Sequence, residues 1–574
     1  MSFLSLLMNW LIGMSSCNYR PFRITATSLA LNIMSFLSEG CSEIEHNKNN
    51  AIKQMKKKKS NLGEKKKQME KQSELEEQLN QFEAILELFF DKVFEPRYRD
   101  IDNNIRAECA SELASFTLKY PTYFLNNEHL KYLGWLLSDK ASNVRNEALA
   151  GISIILKKEG ISTFIQQFIS NYKERILEMG LKEIELNVKC SAIKLIYKLH
   201  QNGLLDEDEK KKMINVLFSK EEKVQKSIAP FIKYVIIEEM IPEISKDVLE
   251  TNKGKLKENE INQLGVKCLL QILLDSKLDF LNHNENGLLD IIDGFSLASK
   301  VTQNNMITTI VTALWDQLEF IKDWKTLIEL SGQQNKQNRK RGIKLNEKED
   351  ILLLKIMQVA FKLLLEESKL NDINQEKLEK KSIEIHPFIN LKDYLLQEAR
   401  PFDALINKYF SNDEAIISVL KLIEITLNGE LFLDAGKMKS YEHLLLQINK
   451  LFLTHSDTLV LYQITLSLKS LATFDTIPPQ EFQSFIEKLF DDIADKIVLY
   501  KNDAENILPE LQRLRVLFIL NDWGINLIYY KKTEILEIFI QLIELGDQNQ
   551  IDINLKILNI EFIYGYVNQP LTIN

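Results

Sequence analysis

FEPRYRDIDNNIRAECASELASFTLKYPTYFLNNEHLKYLGWLLSDKASNVR, residues 94–145, carries the fold in miniature. One helix-entry pattern occurs in it twice: an acidic or Asn-rich turn, an aliphatic–Arg pair, then apolar residues at helical spacing. The first copy is Asp100-Ile101-Asp102-Asn103-Asn104-Ile105-Arg106, the second Asp139-Lys140-Ala141-Ser142-Asn143-Val144-Arg145. Asp and Asn at a helix start accept hydrogen bonds from backbone N–H groups that have no partner inside the helix. The Arg is expected to reach back toward acidic groups of neighbouring turns. Between the copies, Pro121 breaks the chain and a helix follows that carries Tyr132, Gly134 and Trp135.

Outward from this stretch the aliphatic–polar pair recurs at Val188-Lys189 and Val224-Gln225, giving intervals of 39, 44 and 36 residues. That is the length of a two-helix repeat. One antiparallel helix pair cannot bury its apolar face alone, so pairs stack. The fold class expected is all-α, with HEAT-like antiparallel helix pairs stacked into a curved solenoid. Composition agrees: across 574 residues there are 19 Gly and 11 Pro, and 45% of residues are hydrophobic. Long Leu/Ile/Lys/Glu-rich segments with so little punctuation read as helices. The net charge of −9 argues against a surface that coats nucleic acid uniformly, but not against local basic patches.

Upstream, Leu75, Leu79, Phe82, Leu86, Phe89 and Val93 repeat every three or four residues and predict a helix that delivers the chain into Pro96-Arg97-Tyr98-Arg99-Asp100. Residues 44–71 differ in character. Between Lys48 and Lys71 there are ten Lys and two Glu, densest at Lys56, Lys57, Lys58, Lys59 and at Lys65, Lys66, Lys67. Like charges packed this closely repel, so a Lys-rich loop, solvated and mobile around Ser60–Gly63, is expected. A solubilising insertion or a nuclear localisation signal is one reading, and a sequence-independent contact to double-stranded DNA phosphates is the other. No aromatic residue interleaves the lysines, so base stacking has no support.

At the N-terminus, Phe3–Ile12 is too short to span a bilayer, and positive charge follows it rather than preceding it, so a buried helix is expected and no membrane partner. The turn Ser15-Ser16-Cys17-Asn18 and Tyr19-Arg20-Pro21-Phe22-Arg23 then open a helix through Leu37. Downstream, helices are expected at Ile261–Leu274, Asn305–Leu318 and Ile351–Leu365. Trp315 and Trp324 read as packing between helices. Gln333–Glu349 is a polar insertion whose Arg339, Lys340 and Arg341 form a second basic patch. Breaks are expected at Pro401, Asn428, Pro478-Pro479 and Pro509. The domain organisation is then 1–43 (N-terminal helices), 44–71 (Lys-rich loop), 72–240 (the first clear repeats) and 241–574 (further solenoid).

Catalytic and metal-binding patterns are absent from the sequence. There is no GxxxxGK[ST], GxGxxG or HExxH, and Gly294-Phe295-Ser296-Leu297-Ala298 lacks the second glycine of a nucleophile elbow. Five scattered cysteines with no CxxC pair read as small core fillers in a reducing compartment, and seven scattered histidines build no ligand set. The chain reads as a non-enzyme with no metal and no cofactor. One constellation does stand out. Trp135 follows Tyr98 by 37 residues and Tyr172 follows Trp135 by 37, so in a solenoid the three lie side by side. With Arg99 and Asp100 they suit capture of a short peptide, but composition alone favours the reading in which Trp135 and Tyr172 fill the inter-repeat core and Arg99–Asp100 brace the turn.

The pieces FEPRYRDIDNNIRAEC, YLGWLLSDKASNVR and NYKERI (Asn171–Ile176) resemble, in order and spacing, the conserved domain of the stromalin (SA/STAG) family, the HEAT-repeat subunit of the cohesin ring. Arg20-Pro21-Phe22-Arg23 with the following Thr25-Ala26-Thr27 is similar to the segment that precedes that domain, and Leu314-Trp315 with Asp323-Trp324 to a later pair. The resemblance implies a nuclear, chromosomal, non-catalytic subunit that binds the cohesin kleisin subunit and DNA. It also implies that Tyr98, Arg99, Asp100, Trp135 and Tyr172 form a surface receiving aromatic-x-aromatic motifs of cohesin regulators. Animal members carry Phe at the position of Tyr172 and His at that of Pro96. The family's architecture normally extends past both ends, so an incomplete start and end are expected. On composition alone, a transport or trafficking scaffold of karyopherin or adaptor type remains the alternative.

Overall fold

The computed structural model describes residues 3–57, 62–158, 163–251, 258–275, 306–332, 345–375, 400–426, 435–472, 479–500 and 504–519. Among the described residues there are helices and turns and no β-strand. The chain divides into two compact units, Met1–Tyr234 and Val235–Asn574, six residues before the expected boundary at 240.

The first unit contains α1 (Phe3–Ser15), α2 (Arg20–Lys57), α3 (Leu62–Phe89), α4 (Asn103–Lys119), α5 (Asn127–Leu136), α6 (Ser142–Ile155), α7 (Thr163–Lys182), α8 (Leu186–Gln201), α9 (Glu207–Ile214) and α10 (Glu222–Tyr234). A wide π turn, Phe90–Phe94, and one further turn, Glu95–Arg97, extend α3. Helix starts use short polar side chains. The Asp102 carboxylate accepts from the Asn104 N–H, the Asn126 carbonyl from the His129 N–H, and Asp206 and Glu209 form a reciprocal capping box at α9. Helix α8 ends at Gly203, whose φ of 69° lies in the left-handed region that glycine enters without strain.

Two layers result. Helices α2, α4, α6, α8 and α10 pack each on the next, while α5 packs on α7 and α7 on α9. The four entry aliphatics Ile105, Val144, Val188 and Val224 are all buried, as their spacing predicts. Phe116 of α4, fully buried and packed on Phe124, illustrates the scale: burying a side chain of that kind contributes about 1.5–3 kcal/mol.

A ladder of ion pairs runs along the edge where the helix entries lie. Arg106 donates from Nε and Nη2 to both Asp139 carboxylate oxygens at 2.7 Å, and Arg145 donates to both Glu183 oxygens at 3.0 and 2.9 Å. Each Arg therefore reaches forward to the acid of the next repeat, not back as expected. Backward it donates only to carbonyls of its own turn: Arg106 to Asp100 and Ile101, Arg145 to Asp139 and Lys140. Arg23 repeats the pattern, donating to the Cys17 and Asn18 carbonyls and pairing with Asp100 at 2.9 Å. Phe22-Arg23 is thus an earlier repeat entry that the sequence spacing concealed, because α2 and α3 are unusually long. Further along, backbone carbonyls replace the carboxylate acceptors: Lys189 donates to the Leu181 carbonyl and Gln225 to that of Ser219.

Three expectations change here. Residues 44–57 and 62–71 are not loop but the end of α2 and the start of α3; Lys, Glu and Gln are good helix formers, and propensity outweighs repulsion. Lys58, Lys59 and Ser60, the centre of the expected mobile loop, lie outside the described residues. Helix α1 buries only one face (Met8, Leu11 and Ser15) and exposes Leu6, Trp10 and Met14. Cys41, Cys109, Cys190 and Cys268 are buried fillers, and burial pushes the Cys41 and Cys268 thiols up to about 12, but Cys17 is only half-buried at the α1–α2 turn.

The second unit comprises α11 (Ile241–Thr251), α12 (Glu258–Asp275), α13 (306–314), α14 (Trp324–Ser331), α15 (Glu347–Gln375), α16 (Arg400–Tyr409), α17 (Asp413–Thr426), α18 (Ala435–Thr454), α19 (Thr458–Ala472), α20 (Pro479–Leu499) and α21 (Ala504–Ile519). Helices α12, α15, α17, α19 and α21 pack in succession, the same stacking as in the first unit. Pro509 does not break the chain as expected; it lies inside α21, near its start, where a missing N–H removes only one ladder bond. The expected break at Asn428 and the elbow-like Gly294–Ala298 lie outside the described residues. No described helix is long and apolar enough to cross a membrane.

Candidate docking surface

Tyr98 follows the turn Glu95–Arg97, and its N–H donates to the Phe94 carbonyl at 2.9 Å. Its ring is 6% exposed, stacked on Phe94 with centroids 6.2 Å apart and edge-on to Tyr132 at 4.7 Å. Tyr132, buried on α5, donates its hydroxyl to Glu95; burial and that carboxylate together hold its ionisation well above the usual phenol range. The Tyr98 hydroxyl is buried without a hydrogen-bond partner. This aromatic layer fixes the next ring. Trp135, one turn further along α5, lies 6.1 Å from Tyr98 and 5.4 Å from Tyr132 and is 46% exposed.

Two cations flank that indole. The exposed Arg99 guanidinium stands 4.8 Å from the Tyr98 centroid and 5.8 Å from that of Trp135, while the Lys131 ammonium lies 5.1 Å from Tyr132 and 5.7 Å from Trp135. Cation–π contacts of this kind contribute about 0.5–1 kcal/mol where water has access. Tyr172, half-buried on α7 and packed on Phe168 at 4.9 Å, covers the backbone of Gly134 so closely that a Cβ there would fall inside its ring. Gly134 thus lets Tyr172 lie close against α5, and burial raises the Tyr172 phenol.

The expected five residues therefore separate. Tyr98, Arg99 and Trp135 come together as an aromatic floor with a cationic rim, while Tyr172 lies against Gly134 and packs on Phe168, with no ring contact to the other three among the described residues. Asp100 belongs elsewhere: buried, it pairs with Arg23 and with Arg97 (2.5 Å) and accepts from the Asp102 N–H at 2.8 Å. Its chemistry is that of a ladder rung. Lys131, Tyr132 and Gly134 were missing from the expected set; the signals were Lys131 four residues before Trp135, one helical turn away, and a glycine next to an exposed indole. Such a surface can hold an aromatic side chain against its rings and an anionic group at its rim.

Of the DNA-contact candidates, Lys56 and Lys57 end α2 and Lys65, Lys66 and Lys67 open α3 as backbone positions. Lys58, Lys59, Arg339, Lys340 and Arg341 lie outside the described residues. Among the described residues no group of His, Cys, Asp and Glu is arranged to hold a metal ion.

Known proteins resemble this chain in three consecutive stretches. The STAG domain model matches residues 2–94, the stromalin conservative domain 99–173, and the HEAT-repeats domain of cohesin subunit SCC3/SA 310–558. Cohesin subunit psc3 of Schizosaccharomyces pombe is 30% identical over 236 residues, 40% of this chain and 24% of that protein. Sister-chromatid cohesion protein 3 of Arabidopsis thaliana is 22% identical over 518 residues, 88% of this chain and 44% of that protein. The chain thus spans less than half the length of these relatives. Among solved structures, residues 88–1035 of cohesin subunit Scc3 from Z. rouxii superpose with a TM-score of 0.64 at 18% identity, covering 91% of this chain and 59% of that one, which shows a common HEAT-repeat fold. With the conservative domain covering Arg99, the Arg106–Asp139 pair, Trp135 and Tyr172, and with models of the same family matching on either side of it, the chain belongs to the stromalin (SA/Scc3) family.

Proposed function

We propose that this chain is a non-catalytic, HEAT-repeat subunit of a nuclear cohesin complex, acting on chromosomes in sister-chromatid cohesion. In this reading it binds the cohesin kleisin subunit and double-stranded DNA, and it receives regulators with aromatic-x-aromatic motifs on Tyr98, Arg99, Trp135 and Tyr172. The observation that carries the reading is the exposed Trp135 between Arg99 and Lys131, on a floor of buried aromatics. Exposing an indole there costs burial energy that a repeat core would otherwise gain. Asp100 supports the surface through the Arg23 and Arg97 pairs that fix the turn.

DNA contact is assigned to Lys56–Lys59 and Lys65–Lys67, with Arg339–Arg341 as a second patch. Each neutralised phosphate releases counterions, so affinity falls steeply with salt and does not depend on base sequence. The deciding experiment is affinity purification of the tagged chain from nuclear extract. Recovery of the ring ATPases and the kleisin is expected; their absence, with the chain folded, overturns the reading.

A further inference from the structure

Six of the seven arginines described in the first unit hold an acid: Arg20, Arg23, Arg97, Arg106, Arg145 and Arg175 each form an ion pair. Arg99 is the seventh. Among the described residues it forms none, and its guanidinium stands over the Tyr98 and Trp135 rings instead. An acid lies close in the chain. Glu95 stands four residues before Arg99, about one turn away along a backbone still helical at Tyr98, and Glu before a cation is the order that favours such a pair. Glu95 is turned aside: its Oε1 accepts the hydroxyl of Tyr132 from the neighbouring helix α5.

We infer that Tyr132 is a positioning residue of the docking surface: by holding Glu95 it keeps Arg99 unpaired for an anionic group on the incoming partner. This deepens the docking reading above and rests on it. The Tyr132 ring is already fixed by Phe90, Phe94 and Tyr98, at 5.6, 5.3 and 4.7 Å, and a phenyl ring would pack in the same way. What the hydroxyl adds is a donor. A phenol O–H donated to a carboxylate at a part-buried position is a stronger contact than an exposed ion pair, so Glu95 stays with Tyr132 rather than Arg99. Burial, and after it the hydrogen bond to Glu95, raises the Tyr132 phenol, which therefore remains protonated and able to donate. The hydroxyl also brings no positive charge to the site. Glu95 is satisfied, and the charge of Arg99 is left at the rim beside the open Trp135 indole.

Phenylglyoxal labelling of the full chain tests this, read at Arg99 by mass spectrometry with the Asp100-paired Arg97 as internal reference. Tyr132→Phe, which keeps the packed ring, is expected to slow labelling of Arg99 about threefold, because Glu95 is released to it. Adding Glu95→Gln to Tyr132→Phe is expected to restore the native rate, and in about 1 M salt the difference is expected to vanish. Calorimetry with an aromatic-x-aromatic peptide bearing one acidic residue should follow the same order, about threefold weaker in Tyr132→Phe and native-like in the double variant. Native labelling in Tyr132→Phe, or a double variant as slow as Tyr132→Phe, overturns the inference, since the hydroxyl then only braces α5. Labelling in the expected order by a chain that takes no peptide in any form upholds the Glu95 assignment and overturns the docking reading instead.

Discussion

Trp135 and the pair Trp315 and Trp324 are the same residue type in two stacks of helices, and they have opposite fates. Trp315 and Trp324 are 5% and 6% exposed, and the Trp315 indole N–H donates to Glu367 at 2.5 Å. Trp135 is nearly half exposed and is held from below by Tyr98 and Tyr132. Each indole has a cation near it: Lys322 at 5.1 Å from Trp315, Lys325 at 5.3 Å from Trp324, and Arg99 and Lys131 near Trp135. Cations therefore do not separate the cases. Coverage of the ring does, because a covered ring works as core and an open ring on a rigid floor is available to a partner.

The sharpest way to break the comparison is truncation. Trp324→Ala is expected to destabilise the chain by about 3–5 kcal/mol, seen as a lower urea midpoint. If Trp324→Ala proves mild, the distinction by coverage fails. A smaller effect is expected from Asp139→Asn, which leaves Arg106 half-buried beside a neutral amide and costs about 1.5–3 kcal/mol.

That variant also carries a pH signature. Burial alone would raise the Asp139 carboxyl, but the hydrogen bonds from Arg106 and the Ala141 N–H outweigh burial and hold it below the usual carboxylate range. A depressed folded-state pKa stabilises above the unfolded value, near 3.9, and the gain is lost as pH falls through the folded value. Denaturation curves of the native chain should therefore show a loss of stability below about pH 4 that is shallower in Asp139→Asn.

Gly134→Ala tests the join between core and surface. Its new methyl displaces the Tyr172 ring, at a cost of about 1–3 kcal/mol, and weakens binding of an aromatic-motif peptide in calorimetry. Smallest in stability and largest in binding is Trp135→Ala: less than about 1 kcal/mol in unfolding, with peptide binding abolished. Loss of fold in Trp135→Ala would return that residue to the core and erase the contrast with Trp324.

Much of this was legible from the chain. Asp and Asn turns with an aliphatic–Arg pair mark helix entries because capping and inter-repeat packing impose local rules. Thus Ile105, Val144, Val188 and Val224 were found from spacing alone. The earlier entry at Phe22-Arg23 was not, since its turn has no Asp and the next entry is displaced by the long α2–α3 hairpin. The proximity of Tyr98 and Trp135 was legible from their spacing, but Lys131 emerged only from the face it shares with Trp135.

Sequence by itself determined the helices and their pairing into repeats, because these follow from periodicity and capping within tens of residues. Tertiary structure alone decided which way each Arg reaches and that Asp100 is a buried rung rather than a rim residue. Those outcomes depend on what lies across the next repeat, and distance in space between repeats is not written in the spacing of any one of them.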